Sequence, residues 1–373
     1  MIRSFLSEYA INFYGNRLNK KYVVFESDDW GSIRMASREA YNYFTQKGYG
    51  VENCPFNRFD VLESKEDIED LTEILTSVKD VNNNPAKFTL NYIVTNPDFI
   101  KIKNDDYLNY YYETTLKTYQ RLGRSGIISS IKNALNNQVF EMQFHGREHL
   151  NINNWLLALQ MKDDLALKAF DFEMFSLHNN VISNCRTEYL EAFGAADTQS
   201  LQDYKIIVQD GINLFKSIWG NNPSSFIAPC YIWPSQLENI LFDQGIKHIQ
   251  TAFVQKSPQY EGKQHFKKIR HYQGEVNKIG QLYTVRNVLF EPSTDFSRDW
   301  ISTAMRQIKV AFLLRKPAII SSHRLNYVGG LDQKNKARNL IMLRNLIKMI
   351  KKKYQEVNFI TSSELYSIIC KNG

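Results

Sequence analysis

No uninterrupted apolar run in the 373-residue chain approaches the roughly 18 to 20 residues that cross a bilayer, so no transmembrane segment is expected. The opening stretch MIRSFLSEYAINFYGNRLNKK is broken by Glu8, Asn12 and Asn16 before the apolar centre of an export signal can form, and the expected location is cytoplasmic. Cysteine is scarce: Cys54, Cys185, Cys230 and Cys370 lie far apart with no CxxC pair, which argues against a zinc ribbon and a disulfide scaffold and fits a reducing compartment. Internal repeats, low-complexity linkers and sharp composition shifts are also missing, so 1–373 is expected to be a single domain. The net charge of +7 comes with no nucleic-acid-binding motif, and nucleic acid is not expected as a partner. The densest basic stretch, Asn339 to Tyr354, has helical apolar spacing. It reads as a core-packing helix with a solvated basic end, with peripheral contact to an anionic membrane face as the alternative.

What the chain does have is apolar content, 43%, and alternation. Runs rich in β-formers recur at Tyr22–Ser27, Phe88–Val94, Val139–His145, Phe226–Cys230, His248–Phe253, Leu282–Phe290, Ala318–His323 and Val357–Thr361, with helical patterns between them. Ser64 to Asp67 reads as a capping box, and Ser235 to Glu238 as another. Seven or eight such units imply an α/β fold, a parallel barrel that is closed or distorted. Two connections, 95–138 and 150–222, are longer than a crossover needs and are expected to be insertions or lids.

Residues that do chemistry in such barrels sit where the strands end, because the loops there converge on one opening. The first strand ends in Asp28 and Asp29, the third in His145 within QFHGREH, and a late one in His323 within SSHRL. Two adjacent aspartates repel each other unless a cation or a shared proton lies between them. His145 and His149 are four apart, and on a helical first turn both imidazoles could grip one metal ion; one aspartate would complete a two-histidine, one-carboxylate set with positions left for water and substrate. The other aspartate would then stand beside the activated water as its base. Glu291, at the end of another strand, is a candidate substrate contact. His178, His248, His265 and His271 read as ordinary loop or core histidines.

The ordered set FESDDWG, HGREH, FIAPCYIWP, DFSRDW and SSHRL resembles the motifs of the polysaccharide deacetylases, carbohydrate esterase family four, also called the NodB-homology domain. The resemblance runs from about residue 20 to residue 325. It implies a distorted (β/α)7 TIM-like barrel with helical insertions, and a metal-dependent hydrolase that removes acetyl groups from a polysaccharide or oligosaccharide precursor. By position, Asp28 resembles the catalytic base, Asp29, His145 and His149 the metal ligands, and His323 the general acid. Trp30, Arg147, Pro229, Tyr231, Arg324 and the pair Asp299 and Trp300 fall where substrate contacts or supporting residues occur; Asp299 would orient His323 and Trp300 would wall an acetyl pocket. The cofactor implied is a divalent metal, with zinc expected, although ligand type alone does not separate it from iron, cobalt or nickel. The partner implied is an acetylated glycan, with the acetyl on nitrogen or oxygen.

One departure stands out. The family pairs its base with an arginine just before the proline of the third motif, where this chain has Ile227 and Ala228; Arg34, Arg147, Arg286 or Arg324 would have to substitute. Two other readings remain. A barrel that kept its fold and lost catalysis would be a carbohydrate-binding protein, with the 13% aromatic content as stacking surface. HGREH also fits H-x-x-E-H, a metallopeptidase signature in which Glu148 would activate water.

Overall fold

In the computed structural model, which describes residues 2–175, 177, 189–259 and 266–372, the β-rich runs form a nine-stranded sheet whose pairings are all parallel. Its strands are β1 (Tyr22–Trp30), β2 (Phe88–Ile93), β3 (Phe140–Gly146), β4 (Ser225–Ile227), β5 (His248–Thr251), β6 (Leu282–Val285), β7 (Val288–Leu289), β8 (Ala318–His323) and β9 (Asn358–Phe359). The order is β6-β5-β4-β3-β2-β1-β8-β7, and β9 pairs with the first residues of β1. The run that reads as one strand, Leu282–Phe290, is divided at Arg286 and Asn287 into β6 and β7, which lie at opposite edges of the sheet. Edges only two residues apart in the chain must come together, so the sheet curls into a barrel of seven staves, the last shared by β6 and β7. The Arg286 N–H donates to the Thr251 carbonyl (2.9 Å) and the Asn287 N–H to the Ile319 carbonyl (3.2 Å), joining the two sides.

Strand alternation then sorts side chains between two environments. Outward residues such as Val23, Phe25, Phe88, Leu90, Phe144 and Phe226 pack in the main apolar core with helices Lys65–Thr76, Ile127–Asn136, Thr198–Trp219, Trp300–Leu313 and Gln333–Lys353. Inside the barrel, Val24, Leu282 and Ile319 form an apolar floor with Ile360, Leu365 and Ile369. The last two belong to helix Ser362–Asn372, which closes that end. Above the floor the interior is polar, with Glu26, Thr89, Gln250 and Thr284 all buried. Such a layer is tolerable only if its members are hydrogen-bonded to one another.

The Ser64 capping box forms: its hydroxyl accepts from the Asp67 N–H (3.2 Å) while Asp67 accepts from the Ser64 N–H (2.9 Å). The Ser235 box does not form. Ser235 is helical and makes no capping bond, and Glu238 is engaged by the Trp233 and Asn277 side chains instead. The basic helix, Gln333–Lys353, buries Leu340, Leu343, Leu346, Ile347 and Ile350 against the main core, as the packing reading expects. Of the long connections, Ile127–Asn136 and Thr198–Trp219 pack in the main core, whereas Phe99–Asn104, Ile152–Gln160 and Asp164–Asp171 share a second apolar cluster around Trp155 and Phe170. Among the described residues no helix is long and apolar enough to cross a membrane, and Cys54 and Cys370 are free thiols. Cys185, His178 and His265 fall outside the described residues; His248 and His271 are buried and hydrogen-bonded to Thr284 and Gln255.

Candidate active site

Asp28 and Asp29 are neighbours on a strand, so alternation alone would send their side chains to opposite faces. The backbone prevents this. Asp29 has φ +75°, and the pairing of β1 with β2 slips between Ser27 and Trp30, a bulge that re-aims the second aspartate toward the opening. A similar device follows His145. Gly146 has φ +129°, where a Cβ would come within 3.1 Å of the Glu148 carbonyl, and the β2–β3 register slips beside it. The chain turns there without forming a helix, which corrects the helical reading of HGREH: the two histidines are brought together by a strand end and a bend.

Asp29, His145 and His149 offer ligand atoms that all lie within 4.8 Å of one another. The Nε2 atoms of His145 and His149 are 3.3 and 3.4 Å from the same Asp29 oxygen. The His145 Nδ1 faces the Ile227 carbonyl at 2.9 Å, and a carbonyl only accepts, so Nδ1 carries a proton and Nε2 is the nitrogen turned toward Asp29. Burial lowers the His149 pKa to about 4 against the attraction of Asp29, so this imidazole is neutral, and its Nδ1 is buried with no hydrogen-bond partner among the described residues. Burial alone would raise Asp29, but its hydrogen bond from His145 and the nearby histidine charges hold it well below the usual carboxylate range. Two imidazole Nε2 atoms converging on an ionised carboxylate fit a divalent transition metal.

Asp28 is held from three sides. Arg286 grips it bidentately, with Nη1 to Oδ2 at 2.6 Å and Nη2 to Oδ1 at 2.7 Å, and the Asn91 amide donates to Oδ1 at 2.7 Å. Burial pushes the Asp28 carboxyl up, but the Arg286 charge and hydrogen bonds outweigh it and hold the pKa at about 2. Of the four arginines left open by the sequence, only Arg286 reaches Asp28. Arg324 is fully buried on Asp60 and Glu63, Arg147 is bonded to Glu148 and Asp210, and Arg34 lies against Phe56 at the cavity wall.

His323 pairs in register with Asp28 across β1 and β8, and its Nε2 is 3.8 Å from Asp28 Oδ2. Its Nδ1 lies 2.6 Å from Glu291, which also accepts from the Asn326 amide. Burial would lower the His323 pKa, but the Glu291 carboxylate outweighs it and raises the value to about 10. The orienting group is thus Glu291, and the assignment to Asp299 is corrected. Asp299 is an exposed N-cap bonded to Ser302, and Trp300 is buried in the main core with its N–H on the Asp295 carbonyl. Trp30 is likewise core, bonded to Ser27 and absent from the cavity wall.

Asp28, Asp29, His145, His149 and His323 all line one cavity of about 830 Å³. Its wall includes Phe56 from the short helix Pro55–Phe59 that follows β1, Asn154, Phe175 and Leu190 from the second long connection, Tyr231 after β4, and Lys256 and Phe266 after β5. Pro229 shapes the turn after β4, in which Cys230 and Tyr231 both adopt left-handed backbone (φ +57° and +55°). Each such residue costs roughly 1–3 kcal/mol, which the fold sustains at the point where Tyr231 meets Arg286 Nη1 (2.9 Å).

Glu148 turns away from this cavity. Its carboxylate takes the Arg147 Nε–H at 2.7 Å and the Thr95 hydroxyl at 3.3 Å, and the strand-to-bend path of HGREH lacks the helix that an H-x-x-E-H peptidase needs. Glu148→Gln is therefore expected to leave hydrolysis within a few-fold of wild type, measured as kcat/KM; a loss comparable to removing a metal ligand would restore the peptidase reading.

Sequence reasoning passed over Glu26 and Asn91. Both had a signal: Glu26 lies two residues before Asp28 and hence on the same strand face, and Asn91 is a lone amide in an otherwise strand-like run.

No protein-family model matches the chain, and no curated relative does. Solved structures similar to it include a protein from Mycobacterium smegmatis assigned as a polysaccharide deacetylase (12% identity, 96% of this chain and 93% of that one, TM-score 0.47). Others are a family four carbohydrate esterase pseudoenzyme from Bacillus anthracis (11% identity, 93% and 66%, TM-score 0.39) and a 4-alpha-glucanotransferase from Thermococcus litoralis (9% identity, 95% and 40%, TM-score 0.45).

Proposed function

We propose that the protein is a metal-dependent hydrolase that removes acetyl groups from a glycan or glycan precursor. The observation that carries the reading is the separation of two titrating groups over one metal-ligand set: Asp28 held low by Arg286 and His323 held high by Glu291, both facing the cavity that contains Asp29, His145 and His149. Groups pushed apart in this way are suited to opposite proton roles. Bound by Asp29, His145 and His149, a divalent cation would polarise the acyl carbonyl and acidify water. Asp28, ionised at any working pH, accepts the attacking water's proton, and its orientation is fixed by Arg286 and Asn91. His323, protonated on both nitrogens, gives its Nε2 proton to the leaving amine or alcohol while Glu291 holds Nδ1. Zinc is the expected metal.

Acetate release from a panel of acetylated saccharides tests the reading. Wild type should release acetate and Asp28→Asn should lose on the order of 100–10,000-fold in kcat. Binding of the same saccharides with no acetate release after metal loading would favour the carbohydrate-binding alternative.

The pH profile provides a separate check. The acid form of His323 is required, so activity is present below its folded pKa and lost as pH rises through it. A bound divalent cation repels the imidazolium and draws the wild-type limb below 10. Glu291→Gln removes the carboxylate that raises His323, and the alkaline limb should move to lower pH by about 1–3 units. An unmoved limb would show that His323 is not the proton donor.

A further inference from the structure

We infer that Glu26, on the inner face of β1 beneath the cavity, is a positioning residue for the Arg286–Asp28 pair, and that the start of helix Ser362–Asn372 is the fixed point it works from. This rests on the reading of Asp28 as proton acceptor. A fork gripping one carboxylate leaves the guanidinium and that carboxylate free to tilt together. A contact to the third nitrogen removes that freedom, and Glu26 supplies it: its Oε2 accepts at 2.7 Å from Arg286 Nε, the guanidinium nitrogen that Asp28 does not use. Glu26 is itself held, since its Oε1 accepts from the Ser362 hydroxyl at 2.7 Å, and the Ser362 N–H donates to the Thr89 hydroxyl at 3.0 Å. The result is a continuous buried line from helix start through Ser362, Glu26 and Arg286 to Asp28, with Glu26 fully inaccessible.

The arrangement answers a need particular to this chain. No arginine precedes Pro229, and the one that replaces it comes from the break between β6 and β7, where the stave is discontinuous. Arg286 therefore starts from a position outside the strand ladder, held through its N–H to the Thr251 carbonyl, and a second carboxylate one alternation below Asp28 adds a hold on its side chain. Tyr231 and Ser321 contact Nη1 at 2.9 and 3.3 Å but leave Nε to Glu26.

The test compares Glu26→Gln, which keeps an oxygen for Nε, with Glu26→Ala, which removes it, and with Ser362→Ala, which releases the far end without touching the barrel interior's charge. In a proton–nitrogen NMR spectrum the Arg286 Nε–H, assigned by its loss in Arg286→Lys, should exchange slowly with water in wild type and Glu26→Gln and rapidly in Glu26→Ala. Acetate assays should show kcat lower by about 100-fold in Glu26→Ala with KM and bound metal unchanged, and Glu26→Gln restored to within about tenfold of wild type. Ser362→Ala should fall between them, and it decides the question with Glu26→Gln if Glu26→Ala does not fold. A Glu26→Ala protein with wild-type kcat, or with a still-protected Arg286 Nε–H, overturns the inference. If wild type itself releases no acetate, the deacetylase reading fails, and the NMR comparison still decides whether Glu26 fixes Arg286.

Discussion

Arg286→Met is expected to destabilise the protein by about 3–5 kcal/mol at pH 7, because it leaves Glu26 and Asp28 as two buried carboxylates in one compartment with the cation between them gone. The pH dependence has a definite sign. With Arg286 present, Asp28 has a depressed folded pKa, so its contribution is present above the unfolded value, about 4, and is lost as pH falls toward about 2. Without Arg286 the folded value of Asp28 rises above its unfolded one, and that of Glu26, which burial already raises against the pull of Arg286, rises further. The penalty then appears as pH climbs past about 4 and largely vanishes below it, where both are protonated in either state. Urea unfolding of wild type and variant at pH 4 and pH 7 measures this. Equal stability at both pH values would mean that the ion cluster is not a net structural element. Activity should fall with stability, since Asp28 loses both its orientation and its low pKa.

Loss of the metal ligands is expected to have the largest effect on activity. Asp29→Asn is preferable to alanine, because asparagine tolerates the left-handed backbone that Asp29 adopts and so separates ligand loss from strain. It and His145→Ala should each abolish stoichiometric metal binding, and kcat/KM should fall on the order of 1,000-fold or more, the loss of several kcal/mol of charge stabilisation. Elemental analysis of the purified variants, paired with acetate release, reads both. About one equivalent of a transition metal in wild type and none in either variant is the expected result. Full metal content in both variants would place the metal elsewhere and remove the basis for the mechanism.

Much of this was legible in the residues. Alternating β-rich and helical segments gave the α/β barrel because a strand buried on both faces must be apolar outward and short, and the crossover helices carry their own period. Asp28, Asp29, His145 and His323 were legible as a group because each lies at a strand end, with His149 just beyond one, and parallel strands deliver their ends to one side. Other parts were hidden for physical reasons. The Ser235 box failed because Glu238 found Trp233, just before the box, and Asn277, far along the chain, which take the same carboxylate. Asp299 misled because an Asp-Trp pair before a helix serves equally as an N-cap and a core anchor, and local sequence does not separate that use from a catalytic one. The supporting arginine was ambiguous because four candidates satisfy the same charge requirement.

The sequence by itself determined the fold class and the group of candidate residues, since alternation and strand termini are local properties written in residue order. Only the tertiary structure decided the supporting partners: Arg286 for Asp28, Glu291 for His323, the Ile227 carbonyl for His145, and Glu26 beneath them all. Those choices depend on which side chains meet after the barrel closes, with its seam at Arg286 and Asn287. A partner drawn from across a curled sheet leaves no mark in the spacing of either residue.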